Sequence, residues 1–194
     1  MCLKKYSALD EFEMDLLPPT YEVENLKILK ALNNTSRVLG ELKGEIKKIP
    51  NSQILIDTIS LQEAKDSNEV ENIVTTDDEL YQAAIDTKNI PQAAKEAQNY
   101  ASALKLGYAI IKEKGILTLN DIKKVQQLVS PNHPIRKVPG TVLKNPTTQK
   151  VVYTPPQNHN QIIELLSNLE KYINEPDFHD IDPLIKMPII HYQF

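Results

Sequence analysis

Cysteine is almost missing from this chain: Cys2 is the only one in 194 residues, so no disulfide can close within it. Tryptophan is absent, glycine occurs 5 times and phenylalanine 3 times. So little glycine and so few aromatics speak against a sandwich or barrel and for a helical protein. No stretch reaches the roughly 18 apolar residues of a membrane helix. Met1-Cys2-Leu3-Lys4-Lys5 is too short and polar for a secretion signal. No membrane partner is expected, and the cytoplasm is the expected location. The net charge of −4 offers no basic surface for nucleic acid. Glycine-rich phosphate loops and nucleophile elbows are lacking as well. His133, His159, His179 and His191 show no metal-ligand spacing with one another or with Cys2, so no metal site is expected.

What is present is helical periodicity. Leu26, Leu29, Leu32, Leu39 and Leu42 recur at three- to four-residue steps after Pro18-Pro19, with Thr20 as a cap and Gly44 as a stop. Ile54 to Leu61 is a short apolar run. Ser60 with Glu63, and Thr76 with Glu79, read as capping boxes that open two helices. A long helix is expected from about Pro91 to Lys114, with Gly115 as its stop and Ala97, Tyr100, Ala101, Leu104, Tyr108 and Ile111 on one face. Thr118 caps a further helix to about Val129.

Residues 131–157 carry six prolines and cannot stay helical. Val138 to Leu143 and Lys150 to Thr154 are β-prone and flank Asn145-Pro146-Thr147-Thr148, which predicts a hairpin. Ile162 to Ile173 form an amphipathic helix, ended by Pro176. A last helix starts at Asp182-Pro183, a good cap followed by a good first residue. It meets no stop signal before Phe194 and is expected to continue into a part of the domain that this chain lacks. His191, within that helix, is expected to be a core or interhelical histidine, and the other three histidines to be exposed.

Among polar clusters, Ser67-Asn68-Glu69-Val70-Glu71-Asn72 stands out. Ser67 and Glu71 share a helix face. Glu71 and Asn72 fall at a helix C-terminus, where the dipole disfavours a carboxylate by roughly 0.3–1 kcal/mol. Such an acid gains most from a cation supplied elsewhere, above all an arginine. From the residues alone, a solvated helix-end glutamate is the favoured account.

Read together and in order, four stretches resemble the Fic family. Leu17-Pro18-Pro19 with Leu39-Gly40-Glu41-Leu42 resembles its N-terminal extension. Ser67 through Glu71-Asn72, then Thr75-Thr76, resembles its inhibitory segment, [S/T]xxxE[G/N]. Glu96, Asn99, Tyr100 and Ala103 resemble the first core helix. Pro183-Leu184-Ile185-Lys186 through His191-Tyr192-Gln193-Phe194 resembles the lead-in to the signature HPFx[D/E]GNGRxxR, which residues 1–194 do not contain.

The resemblance implies an all-α, Fic-like helical domain with one β-hairpin flap. It implies a boundary near residue 90: an N-terminal extension with the inhibitory helix over 1–90, and an incomplete core over 91–194. It implies a protein adenylyltransferase, moving AMP from ATP to a Ser, Thr or Tyr hydroxyl of a target protein. Ser67, Glu71 and Asn72 would be the inhibitory motif, with Glu71 facing a signature arginine. Val138, Gly140, Thr141, Val142, Val151, Val152 and Tyr153 would be the flap that docks the target. ATP and Mg²⁺ serve the intact family; with no catalytic residues present, no tight binding of either, and no transfer, is expected of this chain. The alternative is a non-catalytic module that docks a target or an intact relative. Apolar faces left uncovered would make the chain marginal or favour a homo-oligomer. Pro188 departs from the family pattern and costs the last helix about 3 kcal/mol unless a kink relieves it.

Overall fold

The computed structural model describes residues 7–70, 76–80 and 90–194. Among the described residues the fold is all-α with a single small hairpin, as the sequence predicts. Its helices are α1 (Leu26–Ile46), α2 (Ser52–Val70), α3 (Gln92–Lys114), α4 (Leu119–Val129), α5 (His159–Asn174) and α6 (Pro183–Gln193). The hairpin pairs β1 (Leu143–Lys144) with β2 (Val151–Tyr153), and a 3-10 turn spans Pro176–Phe178. None of the described helices is long and apolar enough to cross a membrane.

Two compact units divide the chain: residues 33–134, and residues 1–32 with 135–194. Residue 90 falls inside the former. There α2 and α3 pack on each other, and α3 also packs on α4. Ala64, Leu80, Ala94, Ala97 and Ala101 make the buried cluster, flanked by Leu61, Ile90 and Tyr100. Alanine at four of these five positions lets the helix backbones come close. Gly115 ends α3 in the left-handed conformation (φ 72°), and its N–H reaches the Ile111 carbonyl at 2.8 Å. Thr118 caps α4 as expected, and Asp121 completes a capping box with it.

The other unit is built on α5, with the 3-10 turn and α6 packed against it. Leu17, Leu169 and Tyr172 form its buried cluster, with Leu166, Ile173, Phe178, Ile189 and Ile190 around them. Asn158 caps α5, accepting from the N–H groups of Asn160 and Gln161. Asp182 caps α6, whose first residue is Pro183, as predicted. α6 runs on through Pro188, which is exposed.

Several local expectations need correction. The Ser60–Glu63 pair opens no helix: α2 begins at Ser52, and Ser60 lies buried within it at 4 % exposure. The apolar run from Ile54 is the start of the same helix. At α1 the cap is Asn25, whose Oδ1 accepts from Lys27 and Ile28 N–H at 3.1 Å each, and not Thr20. Gly44 does not stop that helix, which continues to Ile46. On α3 the expected face holds only in its first half. Ala97 and Ala101 are buried, whereas Leu104, Tyr108 and Ile111 are exposed and Ala103 and Ile110 are buried instead. The buried side shifts because α4 joins α2 as a second neighbour of α3.

Candidate functional site

The Ser67–Asn72 segment begins on the last turn of α2. Ser67 is half-buried, and its Oγ donates to Glu63 Oε1 at 3.3 Å, one turn back. Glu71 and Asn72 lie outside the described residues. On the far side of the segment, Thr76 and Glu79 form the predicted capping box. Thr76 N–H donates to Glu79 Oε2 at 2.8 Å, and Glu79 N–H to Thr76 Oγ1 at 3.2 Å.

An ion pair that no sequence pattern announces spans this segment. Lys65 Nζ lies 2.6 Å from Asp77 Oδ1, with the Lys65 side chain only 20 % exposed. The hydrogen bond to Asp77 raises the Lys65 ammonium above the ordinary lysine range, against the opposing effect of burial. Residues 65 and 77 are too far apart in sequence for a helical pair, so only folding brings them together.

The hairpin lies in the other unit. Leu143 pairs with Tyr153 and Lys144 with Val151, antiparallel, with an irregularity between the two pairs. The turn is held by Asn145, whose Oδ1 accepts from Thr147 N–H at 3.0 Å and Thr148 N–H at 2.8 Å. Val151, Val152 and Tyr153 make up β2, whereas Val138, Gly140, Thr141 and Val142 precede β1 as irregular chain. The Gln157 side chain fixes that irregular part. Its Oε1 accepts from Gly140 N–H at 2.7 Å and its Nε2 donates to Thr141 O at 3.0 Å. Gly140 sits at φ 115°, where a side chain would be strained. Val138 and Val152 present exposed apolar surface.

His133 is exposed as expected, but the other three histidines depart from expectation. His191 is exposed although it lies on α6. His159 opens α5 half-buried, with Nδ1 2.9 Å from Arg136 O. His179 is also half-buried, with Nδ1 2.8 Å from the hydroxyl of fully buried Tyr172. Burial raises the Tyr172 phenol above its ordinary value. Elsewhere Asp121, wholly buried, accepts from Lys114 Nζ at 2.8 Å and from Thr118 Oγ1 at 2.6 Å. These bonds hold its carboxyl well below the usual carboxylate range. That cluster is a helix cap, complete in itself.

No group of three or more His, Cys, Asp or Glu side chains could hold a metal ion among the described residues. Compared with known families, residues 29–109 match the model described as Fic/DOC family N-terminal. The matched stretch takes in α2, the Ser67–Asn72 segment and most of α3; the hairpin lies beyond it.

Proposed function

We propose, from the match of residues 29–109 to the Fic/DOC family N-terminal model, that this chain is the regulatory and target-docking part of a self-inhibited protein adenylyltransferase. The reaction is transfer of AMP from ATP to a Ser, Thr or Tyr hydroxyl of a target protein. The family match carries the reading, because it spans Ser67, Glu71 and Asn72. Glu71 follows directly on the last residue of α2. In this reading it meets an arginine of the catalytic signature through two parallel charge-assisted hydrogen bonds and keeps the γ-phosphate from its productive place. Ser67 and Asn72 support it. The Lys65–Asp77 pair is consistent with this role, since it ties the two ends of the segment to each other.

The hairpin docks the target by strand addition, in which an extended segment gains main-chain hydrogen bonds along a sheet edge. Gly140 N–H and Thr141 C=O already face Gln157, so the edge offered to the target starts at β1. Val138 and Val152 supply exposed apolar contact beside it. The extension ends and the catalytic core begins near residue 90.

ATP and Mg²⁺ belong to the family's chemistry, which its catalytic signature supplies. The described residues offer no metal-ligand cluster, and residues 1–194 contain no HPFx[D/E]GNGR sequence. No catalytic step is assigned to these residues, and by themselves they transfer no AMP.

The test adds residues 1–194 to a Fic-family adenylyltransferase core freed of its own inhibitory helix, with α-labelled ATP and Mg²⁺. Target labelling falls, and Glu71→Gln in the added chain restores it. Labelling that the added chain leaves untouched overturns the inhibitory reading. Label transferred to a target by residues 1–194 alone overturns the statement that they are inactive.

A further inference from the structure

The hairpin is small, and two short strands are marginal by themselves in water. It does not pack broadly on α5 or α6. What holds it is the N-terminal segment before Pro18. Phe12 N–H donates to Thr154 O at 2.8 Å, and Thr154 Oγ1 donates to Ala8 O at 2.8 Å. Glu11 Oε1 accepts from Gln157 N–H at 2.8 Å. The Phe12 and Tyr153 rings meet at 5.7 Å. These four contacts all fall on the last residue of β2 and the residues just after it.

The same segment is anchored at its other end. Leu17 N–H donates to Asn168 Oδ1 at 2.7 Å, and Asn168 Nδ2 donates back to Leu17 O at 2.9 Å. One side-chain amide thus satisfies both backbone groups of one residue, fixing its position and orientation. Leu17 itself is buried at 7 % exposure against Leu169 and Tyr172. Gln193 Nε2 on α6 donates to Asp15 O at 3.1 Å.

We propose that residues 8–17 are a strap that positions the hairpin on the helices of its unit, with Asn168 as the positioning residue that anchors it. The strap joins three elements, β2, α5 and α6, through backbone groups that would otherwise lack these partners. Its purpose rests on the reading of the hairpin as the docking edge: a hairpin held at one angle presents that edge in one place, and a loosened one costs ordering when a target binds.

Amide hydrogen exchange on the full chain tests this without target or nucleotide, so its outcome is independent of whether docking occurs. Asn168→Leu keeps the size and removes both bonds to Leu17. Exchange is expected to rise roughly tenfold in residues 8–17 and in 143–153 together, with α2 and α3 unchanged. Asn168→Asp keeps the acceptor for Leu17 N–H and loses the donor to Leu17 O, so it gives an intermediate rise in both segments. Thr154→Val removes one of the four contacts at the hairpin end, the Oγ1 bond to Ala8 O, and is expected to loosen the same two segments. If Asn168→Leu raises exchange throughout its unit, Thr154→Val decides. A strap released in these variants while residues 143–153 keep wild-type protection overturns the proposal, as does an unchanged strap.

Discussion

Helices α1 and α5 carry the same sequence pattern and meet opposite environments. On α5 the apolar stripe is covered: Leu165, Leu169 and Tyr172 are 9 %, 1 % and 0 % exposed. On α1 no residue is buried, and Leu29, Leu39 and Leu42 stand 41 %, 48 % and 53 % exposed. Periodicity therefore states that a face wants cover; it does not state what supplies it. On α5 the cover is Leu17 of the strap together with Ile189 and Ile190 of α6, both distant in sequence. α1 packs broadly on no other described element, although most helical stability in proteins comes from packing of an amphipathic face.

The sharpest way to break this comparison is to truncate one leucine from each helix. Leu169→Ala is expected to cost about 2–5 kcal/mol, as a buried leucine leaves a cavity. Leu39→Ala is expected to stay within about 0.5 kcal/mol, as an exposed position does. Urea unfolding monitored by circular dichroism measures both. Equal losses would show that the α1 face is covered in solution.

Capping is a second, smaller lever. Asn158→Ala removes the acceptor for two N–H groups at the start of α5 and is expected to cost about 1 kcal/mol in the same assay. A loss under a few tenths would mean that α5 is held by packing alone. The glycines of α1 sharpen the other side. A Cβ added at Gly40 or Gly44 meets nothing within 4 Å. Gly40→Ala and Gly44→Ala are therefore expected to stabilise the helix by roughly 0.5–1 kcal/mol each. Destabilisation at either position would reveal another surface lying close against α1.

The smallest effect near neutral pH belongs to Asp121. Its folded-state carboxyl titrates below the ordinary aspartate range, because Lys114 and Thr118 donate to it. The stability it contributes is complete above that range and is lost progressively as the pH falls from it toward the lowered folded-state value. Between about pH 6 and 8 the gap between wild type and Asp121→Asn should not change; on acidification below about pH 4 it should close. A gap that holds constant into acid would show that the carboxylate's charge plays no part.

The legible part of the fold was the local part. The Thr118 cap, the Thr76–Glu79 box, the Gly115 stop and the Asp182-Pro183 start are each written within four residues of chain, and each forms. The Ser60–Glu63 box misled because the same residues sit in a longer helix begun at Ser52, where packing of α2 on α3 overrides a local capping choice. Three of the four histidines show the same limit: a turn-like sequence around His179 gave no hint of the buried phenol beside it. Of the candidate sites, the Ser67–Asn72 motif and the hairpin turn were visible as patterns. The Lys65–Asp77 pair, the Gln157 bracket on Gly140 and Thr141, and the Asn168 clamp on Leu17 were not. Their partners are 12 to 151 residues apart, and no spacing rule reaches that far.

By itself the sequence determined that the protein is helical, where most helices start and stop, and that one proline-interrupted stretch folds back as a hairpin. Those outcomes follow from backbone hydrogen bonding and side-chain shape within a few residues. Only the tertiary structure decided which apolar faces are covered, that the N-terminal segment straps the hairpin to α5 and α6, and that Lys65 meets Asp77 across the Ser67–Asn72 segment. Burial and long-range pairing depend on parts of the chain brought together by folding, and a periodic stripe or a lone asparagine looks the same in sequence whether or not a partner arrives.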